Sequence, residues 1–245
     1  MSFSFSGVLA DAGAMWRSHR EMLGAIAGVF FLLPILGILF LLAQSGMPDD
    51  PDPIKLNEAV RAFYSANLGP ILLANLAIDF GTFAVFTLFL QHGDRTLGEV
   101  LMATLRRTIP LLAVDLAAAI LFGIGMSLLV LPGLFLFGRT WLAAPALAAA
   151  PESGVIAAFR QGWRRSAGLN WLLLLAIAAA TILVAALIIL LGSIPLGVIG
   201  AGLGDSRALE ASGYFLVAAV GSMAWLTLAL ARVAAYRRSE PKQGI

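Results

Sequence analysis

The sequence predicts an all-α fold, a polytopic membrane helix bundle of six transmembrane helices with three cytoplasmic interfacial amphipathic helices. Three observations carry that prediction. Hydrophobic residues make up 60% of the 245 and charged residues 12%, with a mean hydropathy of +0.92; in soluble domains roughly a quarter of residues are charged. Six apolar stretches each reach the ~20 residues that a helix rising ~1.5 Å per residue needs to cross a hydrocarbon core of roughly 30 Å. The basic residues cluster on one side of those stretches. Removing six spans leaves only short connectors, so the chain reads as a single integral membrane domain over 1–245.

Taken in order, the spans are 22–43, 66–90, 109–131, 132–150, 169–191 and 209–231. Arg17, His19 and Arg20 precede the first like a secretory n-region, but the apolar run after them is about twice a usual h-region and reads as an uncleaved anchor. The external loop that follows holds Asp49, Asp50 and Asp52. It lacks the ligand spacing and glycine of a calcium loop, so it reads as a solvated turn, with Asn57 expected to cap a short helix into the second span. Pro132, Pro145 and Pro151 punctuate the fourth span and predict a kink there. Gly197, Gly200, Gly202 and Gly204 fall between the last two spans; without a preceding strand or a following lysine they read as a re-entrant or surface turn, not a phosphate loop.

A short amphipathic segment precedes each odd-numbered span, at about 6–20, 96–108 and 153–166. Val8, Leu9, Ala12, Met15 and Trp16 share a face in the first, Leu97, Val100, Leu101, Leu105 and Thr108 in the second, Val155, Ile156, Phe159 and Trp163 in the third. Thr96 and Glu99 have capping-box spacing. Each segment feeds a helical hairpin, giving three parallel copies of one unit. Trp16, Trp163 and Trp171 suit a membrane interface.

Charge placement sets the orientation. Arg17, Arg20, Arg95, Arg106, Arg107, Arg160, Arg164, Arg165, Arg232, Arg237, Arg238 and Lys242 fall on one side and only Lys55, Arg61 and Arg207 on the other. The positive-inside rule then places both termini in the cytoplasm of a bacterial inner membrane. The net charge of +2 reflects this membrane-surface distribution, not nucleic-acid binding. Arg106, Arg107, Arg164 and Arg165 are the candidate contacts to anionic lipid, the expected partner, at about 1 kcal/mol per basic residue near the surface.

Three charges lie within the spans: Asp79, Asp115 and Arg139. Each costs at least ~2.5 kcal/mol if it faces lipid alone, so each is expected to face protein or water. Matching depth predicts an Asp79–Arg139 ion pair, with Asp115 as the arginine's second choice. Asn67, Asn75, Thr82 and Thr87 add polar surface to the second span, as a proton- or ion-coupled transporter would need. The chain has no cysteine and only His19 and His92. Neither a Gly-x-Ser-x-Gly elbow nor a His-Glu-x-x-His motif occurs, so no catalytic centre, metal or cofactor is expected.

The stretch LPGLFLFGRTWLAAPALAAAPESGVIAAFRQGWRRSAGLNW, 131–171, resembles the signature of the glycerophosphoryl diester phosphodiesterase membrane-domain family. Pro132, Gly133, Arg139, Trp141, Glu152, Phe159, Trp163 and Arg164 stand at the family's positions, whereas Gln161-Gly162-Trp163 departs from its usual Ser-Trp pair. The resemblance implies six spans with repeated interfacial helices. It also implies that the phosphodiesterase chemistry belongs to a separate soluble barrel, which nothing here can form. The expected role is therefore a non-catalytic, lipid-interacting or membrane-organising module; the alternative is a small secondary transporter using Asp79, Asp115 and Arg139.

Overall fold

The computed structural model describes residues 4–46, 52–91, 93, 95–203 and 207–239. Among these are eleven α-helices and no strand: α1 (Phe5–Ser18), α2 (Arg20–Ala27), α3 (Leu33–Ala43), α4 (Pro53–Ala66), α5 (Leu68–Leu90), α6 (Leu97–Leu128), α7 (Val130–Thr140), α8 (Ala143–Ala149), α9 (Gly154–Arg165), α10 (Asn170–Leu203) and α11 (Arg207–Arg238). Asp49, Asp50, His92, Gly204 and Lys242 lie outside the described residues. Six helical stretches among the described residues are long and apolar enough to cross a membrane: Arg20–Ala43, Leu68–Leu90, Leu97–Leu128, Val130–Ala149, Asn170–Leu196 and Ala208–Arg238. The molecule is a polytopic membrane helix bundle.

The first span is α2 and α3 joined by a π turn, Gly28–Leu32, in which the Leu33 N–H reaches back five residues to the Gly28 carbonyl. The wide turn sits directly before Pro34, which has no N–H to offer the Phe30 carbonyl and interrupts the ordinary ladder. Before this span, α1 is capped by the Ser4 hydroxyl, which accepts from the Gly7 N–H at 3.3 Å. It buries Val8, Ala12 and Met15, an i, i+4, i+7 stripe, against α11. The Arg238 guanidinium donates to Asp11 at 2.9 Å, which holds that carboxyl below the usual carboxylate range. The two ends of the described chain therefore meet at one end of the bundle, which also carries most of the arginines.

Two local expectations are corrected. The helix before the second span is capped by Asp52, whose Oδ1 accepts from the Ile54 N–H at 2.9 Å, with Pro53 at the first helical position, where a missing N–H costs nothing. Asn57 instead accepts from Arg61 Nε at 3.0 Å. The glycines 197, 200 and 202 form no turn: α10 runs on to Leu203.

The three amphipathic segments do not behave alike. The first ends at His19, whose φ of −132° and ψ of 31° break the helix. The third ends before Gly168, whose φ of +64° is readily open to glycine. The second has no such break. It begins with the predicted capping box, Glu99 accepting from the Thr96 N–H at 2.8 Å, and continues through Pro110 as the first part of the unbroken α6. It is not a separate interfacial helix.

The α6–α7 hairpin turns on the single extended residue Leu129 (φ −165°, ψ 156°). Gly125 and Gly133 face each other there, and a Cβ on Gly125 would stand 2.7 Å from the Gly133 Cα. Beyond it the fourth span breaks at Trp141 and Leu142 before α8. Residues Ala143 to Ala148 of α8 are all buried, and Gly162 lets α9 come so close that a Cβ on it would meet the Ala143 nitrogen at 2.7 Å. With Phe83–Phe86 of α5 and the Ala229–Tyr236 part of α11, α8 makes the centre of the core. Leu183, Leu187 and Leu191 of α10, and Ile109 and Leu116 of α6, are exposed on the outside, where hydrocarbon would cover them.

Gly125→Val should lower stability by about 1–3 kcal/mol, as overpacking does, because the contact it meets is backbone. Unfolding of the purified protein in detergent measures this, and a variant as stable as the parent would contradict the close approach.

Candidate functional site

The broken fourth span determines where the membrane-embedded charges go. Pro145 carries no N–H, so the Trp141 carbonyl has no partner four residues on. Arg232 of α11 supplies one, its Nε donating to that carbonyl at 3.1 Å. The same guanidinium lies over the Phe86 ring at 4.8 Å and reaches Asp115 of α6, Nη2 to Oδ1, at 3.5 Å. Arg232, which charge counting assigned to the membrane surface, is thus an interior tie between α6, α11 and the break.

The expected Asp79–Arg139 pair is not formed, and Asp115 is paired with Arg232 rather than Arg139. Arg139, in the last turn of α7, lies over Trp163 at 4.4 Å and near Phe135 at 5.8 Å, and its Nε has no hydrogen-bond partner. Depth alone misled the prediction: α7 packs against α6, α9 and α10, whereas α5, which carries Asp79, packs against α8. Trp163 is therefore a partner for Arg139. Asp79 forms no ion pair or hydrogen bond among the described residues and sits in the field of Asp115 and Arg232.

Two of the four polar residues of the second span join helices. Thr82 accepts from Trp225 Nε1 of α11 at 3.1 Å, and Thr87 accepts from the Thr104 hydroxyl of α6 at 3.1 Å. Asn67 and Asn75 each donate to a carbonyl one turn back, at 3.0 and 2.8 Å.

At the arginine-rich end the four candidate lipid contacts divide. Arg107 forms an ion pair with Glu152, and Arg165 donates to the Tyr236 carbonyl at 2.8 Å with its plane 4.0 Å from the Tyr236 ring. Arg106 and Arg164 are exposed, and no carboxylate pairs with them among the described residues. The same holds for Arg160, one turn before Arg164. Between them α9 forms a recess of about 360 Å³ lined by Ala157, Arg160, Gln161, Arg164 and Arg165.

Gln161 and Arg165 also line a second, larger cavity of about 820 Å³, together with His19, Gln91, Tyr236 and Arg237. Nothing in the sequence pointed to it, because its polar residues are scattered singly over the ends of α1, α5, α9 and α11. Only their common position at span ends was visible. Comparison of the chain with protein-family models, curated proteins and solved structures finds no match.

Asp115→Asn and Arg232→Gln should each destabilise the bundle by about 2–3 kcal/mol, somewhat less than a fully buried pair, which loses roughly 3–5. The reduction reflects side chains that remain 25% and 13% exposed. A double-mutant cycle of unfolding free energies should give a coupling of at least about 1 kcal/mol; additive losses would mean the two groups do not interact.

Proposed function

We propose that this protein is a non-catalytic, lipid-interacting module of a bacterial inner membrane, with its arginine-rich end on the cytoplasmic side. The observation that carries this reading is the set of exposed arginines, Arg106, Arg160 and Arg164, without carboxylate partners among the described residues, at the end of the bundle where the basic residues gather. Guanidinium groups in that setting suit phosphate oxygens, which accept paired N–H donors and leave no charge uncompensated. Arg107 and Arg165, held by Glu152 and Tyr236, position the surface more than they extend it.

Membership of the glycerophosphoryl diester phosphodiesterase membrane-domain family is part of this proposal. Its support is that several of the motif residues hold neighbouring helices together. Gly133 closes the α6–α7 hairpin, Arg139 stacks on Trp163, and Glu152 holds Arg107. Such a motif specifies how helices meet, which is what a membrane module without its own chemistry needs.

Replacing Arg106, Arg160 and Arg164 together by Gln should reduce retention of phosphatidylglycerol relative to phosphatidylcholine by at least about tenfold, given ~1 kcal/mol per basic residue. Native mass spectrometry of the purified protein reads this directly. Equal retention of both lipids by the parent protein would remove the proposal's basis.

A second reading, solute transport, draws on Asp79, a carboxylate without a partner beside the Asp115–Arg232 pair. Under it, Asp79→Asn abolishes uptake into proteoliposomes while the bundle stays folded. Uptake unchanged by that substitution rules Asp79 out as the coupling group.

A further inference from the structure

The 820 Å³ cavity draws its wall from five segments far apart in sequence: the α1 break with Ser18 and His19, the end of α5 with Gln91, the end of α8 at Ala149 and Ala150, Gln161 and Arg165 of α9, and Tyr236 and Arg237 of α11. Its size falls in the range of small-molecule sites, about 300–1,000 Å³. Two guanidinium groups enter the wall, and no carboxylate lines it among the described residues. Concentrating positive charge between walls of low dielectric raises the local potential for anions.

The surrounding hydrogen bonds hold the donors in place. Arg237 donates to the Phe89 carbonyl and lies 5.8 Å from the Phe89 ring; a guanidinium has five N–H groups, so donors remain for a ligand. Arg165 is fixed on Tyr236. Gln161 donates to the Tyr236 hydroxyl at 3.0 Å, and Gln91 accepts from Arg95 at 2.6 Å. His19 stands edge-on to Phe89, 5.1 Å between centroids, with its Nδ1 2.8 Å from the Ser18 hydroxyl. Met15, Leu88 and Leu90 supply an apolar wall. A lipid chain alone would leave the Arg237 charge without an anion, and a bare ion would leave the apolar wall uncovered.

We propose that this cavity binds a ligand carrying a phosphate group, a phosphate ester with a small apolar body, its charge met by Arg237. This extends the lipid-interaction reading to a second, recessed site but does not need the exposed arginines of α9. The phosphate belongs either to a soluble ester or to a lipid headgroup entering from the membrane surface, and two arms of one experiment separate these sources. In detergent, isothermal calorimetry measures binding of inorganic phosphate and of ethyl phosphate. In nanodiscs of phosphatidylcholine with and without phosphatidic acid, native mass spectrometry measures retained lipid.

Binding in the first arm alone identifies a soluble ester, and binding in the second alone a headgroup. Arg237→Gln should weaken whichever binding is seen by at least about tenfold, the loss of one charge-assisted interaction. Should that variant fail to fold, Gln161→Glu, which places a carboxylate in the wall, is expected to do the same. The proposal is overturned if neither arm shows binding, or if the folded variant binds as the parent does. Arg160→Gln with Arg164→Gln reports separately on the outer surface: its effect on phosphatidylglycerol retention bears on the lipid-interaction reading and leaves the cavity result unaffected.

Discussion

A carbonyl within hydrocarbon has no water to fall back on, and the fourth span leaves several in that position. Pro145 cannot answer Trp141, and the break beside it frees Arg139 as well. Three side chains from other parts of the chain meet the need: Arg232 at the Trp141 carbonyl, the Ser166 hydroxyl at the Arg139 carbonyl, 3.0 Å, and Gln91 at the Ala148 carbonyl, 3.4 Å. Each draws a different element towards α8 or the break between α7 and α8, so a helix with no polar side chain of its own becomes one around which others are arranged. The Asp115–Arg232 pair then has a clear origin. An arginine brought into the bilayer to serve a carbonyl still carries its charge, and a carboxylate on α6 balances it.

How the helices approach follows from the same arrangement. The small residues Gly125, Gly133, Gly138 and Gly162 lie along α6, α7 and α9 where backbone meets backbone; at Gly138 an added Cβ would stand 2.7 Å from the Trp171 carbonyl oxygen. In lipid, where apolar side chains gain little by leaving one apolar medium for another, close backbone approach and interhelical hydrogen bonds do much of the work. The Thr87–Thr104 and Thr82–Trp225 bonds do this for α5. The stretch that resembles a family signature is thus dense in residues that decide packing distance.

The spans were legible because length and hydropathy are one-dimensional properties: 22–43 against Arg20–Ala43 and 66–90 against Leu68–Leu90 differ by a turn or less. Caps were legible where side-chain spacing is tight, as at Thr96 and Glu99, and less so where two candidates competed, Asp52 and Asn57. Pairing between helices was not legible. Depth along a span says nothing about which way a side chain faces, so Asp79 and Arg139 stood level without meeting, and Arg232 was read as a surface charge. The polar cavity was hidden for a related reason, since a few polar residues from four separate helices leave no pattern in the sequence. Continuity was overlooked in α6 and α10, where an amphipathic segment or a run of glycines was read as a separate piece and the helix carried on.

The tie between Asp11 and Arg238 has a bearing on how the chain is made. The apolar stripe of α1 finds most of its cover on α11, made much later in the chain, so α1 stays largely unsheltered until α11 has emerged. A chain cut short anywhere before α11 would display Val8, Ala12 and Met15 openly, giving proteases a ready mark of incompleteness.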